Sequence, residues 1–159
     1  MENLKENALS IRTALDRGAE ALGGTSGSPR LDAELLLSSV LGRNRLALMT
    51  DPDDIVPADA IERFMALVRR RATHEPVAYL VGQQEFWSLP FHVAPGVLIP
   101  RPETELLVEL ALKHLKGTRP SGRVNVLDLG TGSGCIAAAV TSELQRQGRE
   151  FLVVAVDKS

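Results

Sequence analysis

The sequence has too few cysteines and histidines for a disulfide framework or a structural metal site. It contains one cysteine, Cys135, and three histidines among 159 residues. A single cysteine excludes an internal disulfide and fits a reducing compartment, and the scattered histidines have no metal-ligand spacing. We therefore expect no metal.

The sequence also lacks an excess of charge of one sign and any long apolar run. Eighteen Lys and Arg residues stand against twenty Asp and Glu residues, a formal net charge of −2. This balance does not provide the basic face that nonspecific nucleic-acid binding needs. No run approaches the roughly 20 apolar residues of a membrane span, and the stretch MENLKENALSIRTAL contains acids that a signal peptide lacks. We predict a cytoplasmic protein with no membrane partner, no direct nucleic-acid partner and no obligate homo-oligomer.

The first part of the chain has the apolar spacing of amphipathic helices. One helix ends at GGTSGSP, a second begins beyond Pro29 and ends at Gly42, and a third follows Pro57. Residues 1–75 are therefore predicted to form a helical bundle. Its three apolar stripes are Leu4, Ala8, Ile11, Leu15, Ala19 and Leu22; Leu31, Leu35, Leu36, Val40 and Leu41; and Ile61, Phe64, Met65, Leu67 and Val68.

The sequence pattern changes at Pro76. Residues 76–100 mix β-branched and aromatic residues with glycine and proline, which predicts extended strands, with a hairpin of 84–87 and 91–93 as a linker. A helical period returns from Glu103. Residues 124–127 and 151–156 are continuous apolar strands that flank a helix from Gly134 to about Gln147. Unalternated strands around a helix predict an α/β fold with a parallel sheet buried on both faces.

A glycine-rich turn follows the first of these strands. Its GxGxG spacing comes from Gly130, Gly132 and Gly134, whereas the dinucleotide fingerprint GxGxxG would need glycine or alanine at Cys135. No GKS or GKT follows, so the turn is not a P-loop. A nicotinamide-dependent enzyme stays as a less favoured alternative, and so does a turn that binds nothing.

An acidic residue ends each of the two strands. Asp128 would repel a pyrophosphate but suits an ammonium group, and S-adenosylmethionine carries an amino acid end and no phosphate. Asp157 can accept hydrogen bonds from both ribose hydroxyls. The pattern therefore favours S-adenosylmethionine, although Asp128 as a simple helix cap is the structural alternative.

Other residues allow two interpretations each. Cys135 is a packed small residue or a reactive thiol at a helix start. The basic run Arg69–Arg71 is a solvated helix end or a contact for an acidic partner. Arg101 and Glu103 form a local ion pair or contact substrate.

Three segments carry a resemblance to a known family. VLDLGTGSGCIA, FHVAPGVLIPRPETELLVE and RRRATHEPVAYLVGQQEFW are similar to segments of the release factor glutamine methyltransferases of the HemK/PrmC type. The resemblance implies an enzyme that transfers a methyl group from S-adenosylmethionine to a protein side chain. The acceptor would be the side-chain amide of the glutamine in the Gly-Gly-Gln motif of peptide chain release factors. It also implies a helical release-factor-docking domain (1–75), a hairpin linker (76–100) and the first part of a Rossmann-like methyltransferase domain (101–159).

The resemblance also assigns residues. The expected cofactor-binding residues are Asp128, Leu129, Gly130, Thr131, Gly132 and Asp157, and the expected active-site loop is Pro100, Arg101, Pro102, Glu103 and Thr104. The catalytic signature of the family, Asn-Pro-Pro-Tyr, does not occur in these 159 residues. We expect it beyond Ser159, so no catalytic residue is assigned. The chain is expected to be a truncated, inactive version of a longer enzyme, and its own two-strand sheet is expected to fold poorly. A noncatalytic release-factor-binding module is the alternative from a different class.

Overall fold

The computed structural model describes residues 9–118 and 122–158. The chain divides after Val81 into two compact units. The helices are α1 (Ile11–Leu22), α2 (Pro29–Leu41), α3 (Arg45–Thr50), α4 (Ala58–Ala72), α5 (Val77–Val81), α6 (Glu105–Thr118) and α7 (Cys135–Arg146). The strands are β1 (Leu9–Ser10), β2 (Ile55–Val56), β3 (Gln83–Phe86), β4 (Leu89–His92), β5 (Val124–Leu129) and β6 (Phe151–Val156). The fold is thus of mixed helix and strand.

The first unit is the predicted helical bundle. Helices α1, α2 and α4 enclose an apolar core that includes Leu15, Leu36 and Phe64. The Ser10 side chain accepts the Thr13 amide at 3.2 Å and so caps α1. Gly42 ends α2 with φ +62°, which confirms the predicted helix stop. The predicted stripe residues Leu4 and Ala8 lie outside the described residues.

One predicted helix face is wrong. Leu31 was expected to face inward but is 38% exposed, whereas Asp32 and Glu34 are buried. Ion pairs explain the difference, because Arg71 Nε donates to Asp32 Oδ2 at 2.7 Å and Arg45 Nη2 to Glu34 Oε2 at 2.6 Å. A carboxylate that is paired and hydrogen-bonded can be buried where an isolated one cannot.

The segment after Pro76 also differs from its prediction. Residues 77–81 form helix α5 rather than an extended strand, and the amides of Tyr79 and Leu80 donate to the Pro76 carbonyl at 3.0 and 3.2 Å. Proline pre-sets the φ of a first helical turn, so it started a helix here rather than breaking one. Helix α5 packs against α2 and α4 and extends the first unit to Val81, whereas the domain boundary predicted from sequence lay at residue 75.

The second unit contains the hairpin and the strand–helix–strand segment. Strands β3 and β4 pair antiparallel, and Phe86 is buried in the core of this unit. The two turn residues, Trp87 and Ser88, have φ of +55° and +57°, the pattern of a type I′ turn. The hairpin therefore belongs to the second unit, whereas the sequence predicted a linker.

Strands β5 and β6 pair parallel in register from Val124↔Phe151 to Leu129↔Val156, which confirms the predicted strand–helix–strand unit. The prediction of a sheet buried on both faces is wrong for the described residues. Val124 and its neighbours pack on α7, but the opposite face is exposed, with Leu127 at 60%. In a parallel sheet a continuous apolar strand has two apolar faces, and here the described elements cover one.

Candidate functional site

The glycine-rich turn leaves β5 and leads into α7. Gly130, Gly132 and Gly134 have φ of +74°, +56° and +75°, which are left-handed values that other residues adopt only with strain. A Cβ built on any of the three would meet no atom within 4 Å. Glycine is therefore required by the backbone conformation, and the space beside the turn is open for a ligand.

Two aspartates hold the turn, one from each strand. Thr131 Oγ1 donates to Asp128 Oδ2 at 2.7 Å, and the Gly132 amide donates to Asp157 Oδ2, also at 2.7 Å. The amides of Gly130 and Thr131 donate to the Val156 carbonyl at 2.7 and 3.1 Å. The parallel register brings the ends of β5 and β6 to one edge of the sheet, where the aspartates meet the turn.

A cavity of about 170 Å³ lies beside the turn. It brings together six of the predicted site residues, Pro100, Arg101, Thr104, Gly130, Thr131 and Gly132. Leu98, Ile99, Ser133, Cys135 and Ile136 complete its wall. Leu98, Ser133 and Ile136 are not among the residues predicted from sequence. Their only signal was their position beside the predicted loop, within the glycine turn and at the start of α7, respectively.

Five predicted residues do not line this cavity. Pro102 and Glu103 are exposed on the 3-10 turn Pro102–Thr104, and the Leu129 side chain is 72% exposed. Asp128 and Asp157 do not line the cavity themselves, but they accept hydrogen bonds from Thr131 and Gly132, which do.

Several open interpretations are answered by the geometry. Among residues 9–118 and 122–158 no ion pair joins Arg101 to Glu103, so the local-pair interpretation fails. Cys135 is buried at the start of α7 and forms part of the cavity wall, in agreement with a packed residue.

Part of the basic run is used inside the first unit. Arg71 pairs with buried Asp32 and Arg70 pairs with Glu75. The hydrogen bond to Glu75 raises the pKa of Arg70 above its ordinary value. These two arginines therefore organise the end of α4 itself, and neither interpretation made from sequence describes them fully.

A larger cavity of about 520 Å³ lies between the hairpin, α6 and α7. Two of its three carboxylates are already engaged: the Trp87 amide donates to Glu105 Oε1 at 2.8 Å, and Arg146 Nη2 to Glu143 Oε2 at 2.8 Å. The hydrogen bond from Arg146 is the main cause that lowers the pKa of Glu143, with a smaller contribution from Trp87. This cavity contains no predicted cofactor-binding residue, so the cavity beside the glycine turn is the better candidate in spite of its smaller volume.

The described part of the chain contains no cluster of three His, Cys, Asp or Glu side chains that could hold a metal ion. Within the same residues, no helix combines the length and apolar character needed to cross a membrane.

Most of the chain is similar to proteins of one known family. Residues 13–82 match the family model described as the PrmC N-terminal domain. A release factor glutamine methyltransferase of Aliivibrio fischeri is 49% identical over 138 residues, 86% of this chain and 47% of that protein. The chain is a homologue of the release factor glutamine methyltransferases.

Other relatives carry the same name. The protein of Coxiella burnetii is 46% identical over 135 residues, which are 85% of this chain and 48% of that protein. The protein of Escherichia coli is 46% identical over 133 residues, 84% of this chain and 45% of that protein. The chain thus spans about half the length of the relatives it matches, and the matched residues include parts of both compact units.

Proposed function

We propose that the second unit binds S-adenosylmethionine and that the whole protein uses it to methylate the glutamine of the Gly-Gly-Gln motif in peptide chain release factors. The observation that supports this most strongly is the cavity, in which the Leu98–Arg101 segment faces a glycine turn held by Asp128 and Asp157. The names of the relatives support the reaction class. A cytoplasmic location stays a prediction.

The residues of the turn fit this cofactor better than a dinucleotide. Two carboxylates contact the turn, and residues 128–136 include no Lys or Arg. A pyrophosphate would be repelled by these carboxylates, whereas an ammonium group and ribose hydroxyls are complementary to them. Thr131 donates to Oδ2 of Asp128, and Oδ1 has no donor among the described residues, which supports a role for Asp128 in accepting from an ammonium group.

In this proposal each group of the chain has a binding task. Asp128 holds the amino acid end, Asp157 holds the ribose, and the backbone of Gly130 and Gly132 allows close approach of the ligand. When bound, S-adenosylmethionine supplies a methyl group that its sulfonium makes electrophilic. An amide nitrogen is a weak nucleophile, because its lone pair is delocalised into the carbonyl, so the acceptor amide must be oriented toward the methyl carbon. The Asn-Pro-Pro-Tyr that the family uses for this does not occur in the 159 residues, so the proposal for this chain concerns binding.

Calorimetric titration of the chain with S-adenosylhomocysteine and with NAD tests the binding proposal. We expect binding of S-adenosylhomocysteine, and a loss of about tenfold or more in affinity for Asp157→Ala, because charge-assisted hydrogen bonds contribute about 1.5–3 kcal/mol. Glu109→Ala is the matched control, since Glu109 is exposed on α6 and outside the cavity. Binding of NAD in preference to S-adenosylhomocysteine would contradict the proposal and favour the nicotinamide alternative.

The methyl transfer is tested on the whole protein. A full-length version incubated with labelled S-adenosylmethionine and a release factor should label the Gly-Gly-Gln glutamine, and a release factor with Gln replaced by Glu at that position is the control. No incorporation into the unmodified factor would reject the substrate assignment.

A second candidate is a noncatalytic module that binds release factors. It is favoured by one observation: the match to the PrmC N-terminal domain covers residues 13–82 and coincides with the first compact unit, which ends at Val81. Biolayer interferometry of the 159-residue chain against a release factor tests it. Binding to the release factor that persists in Asp157→Ala, in which cofactor binding is weakened, supports a module. No binding by the unmodified chain rejects it.

A further inference from the structure

We propose that Glu105 is a positioning residue for the cofactor cavity: it accepts the Trp87 amide at the tip of the hairpin and thereby fixes the loop 94–104. The inference rests on the proposed cofactor-binding function and adds a contact outside the cavity on which binding depends. Its starting point is that this loop, which contributes Arg101 and Thr104 to the cavity wall, is attached to the hairpin at both of its ends.

The hairpin itself is held by the core of the second unit. Strands β3 and β4 pair up to the last pair before the turn, Phe86↔Leu89. Phe86 is buried and meets the ring of Phe91 edge to face, with 6.3 Å between the ring centroids. The tip of the hairpin is therefore a fixed point to which other segments can be attached.

The loop is attached once at the base of the hairpin and once at its tip. Val93, directly after β4, is buried, and its amide donates to the Gly82 carbonyl at 3.1 Å. Glu105, the first residue of α6, accepts the Trp87 amide through Oε1 at 2.8 Å. A loop whose two ends are fixed has fewer conformations open to it, so less order is lost when it contacts a ligand.

The tip of the hairpin has a conformation that needs support from its surroundings. Trp87 and Ser88 are both left-handed, although neither is a glycine, and such residues persist only where neighbouring contacts hold them. The contacts come from two helices, because Glu105 of α6 accepts the Trp87 amide and Glu143 of α7 accepts a hydrogen bond from the Trp87 side chain. Helix α7 begins with Cys135, which lines another part of the cavity. The tip is thus connected to both elements that flank the glycine turn.

The contribution of Glu105 is a hydrogen bond rather than an ion pair. Among residues 9–118 and 122–158, no Lys, Arg or His side chain forms an ion pair with it. Its bond to the Trp87 amide is partly buried, and a carboxylate acceptor makes such a bond stronger than a neutral one. The role therefore requires an acceptor oxygen that reaches Trp87, and the negative charge is secondary.

Two substitutions separate reach from charge. Glu105→Gln keeps the length of the side chain and an acceptor oxygen, whereas Glu105→Asp keeps the charge but shortens the side chain. In calorimetric titration of the 159-residue chain with S-adenosylhomocysteine, Glu105→Gln should bind within about twofold of the unmodified chain. Glu105→Asp should bind about fivefold or more weakly, because the loop must then be ordered on binding. Glu109→Asp is the matched control, since Glu109 is exposed on the same helix and outside the cavity.

A second measurement needs no ligand. The Thr104 amide donates to the Arg101 carbonyl at 3.0 Å within the loop, so its hydrogen exchange reports whether the loop is fixed. Exchange of this amide, followed by NMR, should be about tenfold faster in Glu105→Asp and unchanged in Glu105→Gln and Glu109→Asp. Urea unfolding of the same variants shows whether the second unit stays folded.

The outcomes separate this inference from the function on which it rests. If Glu105→Asp binds S-adenosylhomocysteine as tightly as the unmodified chain, or only lowers the urea midpoint, the positioning role is wrong while the cofactor proposal stands. If Glu105→Gln is weakened as much as Glu105→Asp, charge and not the hydrogen bond matters, and the inference is again wrong. If the unmodified chain binds no S-adenosylhomocysteine, the cofactor proposal fails, and the positioning role for the cofactor fails with it whatever the exchange of Thr104.

Discussion

Gly18 lies in the interior of α1, where glycine usually weakens a helix, and the structure shows why alanine should be worse there. A Cβ built on Gly18 would lie 2.5 Å from Phe64 Cζ and 3.2 Å from Ala33 Cβ. Phe64 and Ala33 are fully buried, so the ring has no open space in which to move. We expect Gly18→Ala to destabilise the first unit.

The magnitude follows from two opposing terms. The new methyl group would be roughly 1 Å closer to Phe64 than the 3.5–4.0 Å optimum, and such overpacking costs about 1–3 kcal/mol. Alanine gains about 1 kcal/mol over glycine in helix propensity. The net loss in the free energy of unfolding is therefore about 1 kcal/mol, or about 4–8 °C in Tm for a unit of this size.

Urea and thermal unfolding followed by far-ultraviolet circular dichroism measure this loss, and fluorescence of Trp87 reports the second unit alone. Gly24→Ala is the control, since a Cβ there meets nothing within 4 Å and its φ is not left-handed. In the double variant Gly18→Ala/Phe64→Leu, the end of the ring that the new methyl group would meet is removed. The loss in the free energy of unfolding should therefore be about 1 kcal/mol smaller than the sum of the losses in the two single variants. A Gly18→Ala variant as stable as the unmodified protein, with no coupling to Phe64, would refute the reasoning.

Two other predictions concern the second unit. Thr131→Val should weaken S-adenosylhomocysteine binding about fivefold to tenfold, because the hydrogen bond that orients Asp128 contributes about 1 kcal/mol net. Thr131→Ser keeps the hydroxyl and should bind normally. Equal affinity of the unmodified chain and both variants in calorimetry would contradict this. Arg146→Met should raise the pKa of Glu143 toward its ordinary value in an NMR titration, since Arg146 is the main group that lowers it. The pKa of Glu143 is lowered in the folded state, so any stability from this pair is present above the ordinary glutamate pKa. It is lost as the pH falls through the lowered value. An unchanged Glu143 titration in Arg146→Met would show that the pair is not formed in solution.

Local sequence signals predicted most of the helices and strands. Helix α2 ends at Gly42 because glycine adopts the left-handed conformation without strain, and β6 covers the predicted residues 151–156. The turn after β5 was recognisable because three glycines at alternate positions follow an apolar strand. These features depend on residues close together in the chain, so periodicity and spacing suffice to predict them.

Long-range pairing was not predictable in the same way. The inward position of Asp32 depends on Arg71, which lies 39 residues further along, and hydrophobic periodicity alone favoured Leu31 for that face. The prediction of an extended strand after Pro76 was wrong for a related reason. β-Branched residues favour strands locally, whereas packing against α2 and α4 favours the helix α5. In both cases an interaction between distant segments overrides the local preference.

The sequence by itself determined the glycine turn, the aspartates that end the two strands and the resemblance to release factor glutamine methyltransferases. Only the tertiary structure decided that Arg101 and the turn line the same cavity, that Arg101 has no carboxylate partner among the described residues, and that Gly132 binds Asp157. Composition and spacing report which groups are available. The distances between groups that lie 25 or more residues apart are set by strand register and by the packing of side chains in the core, and these depend on the whole folded unit.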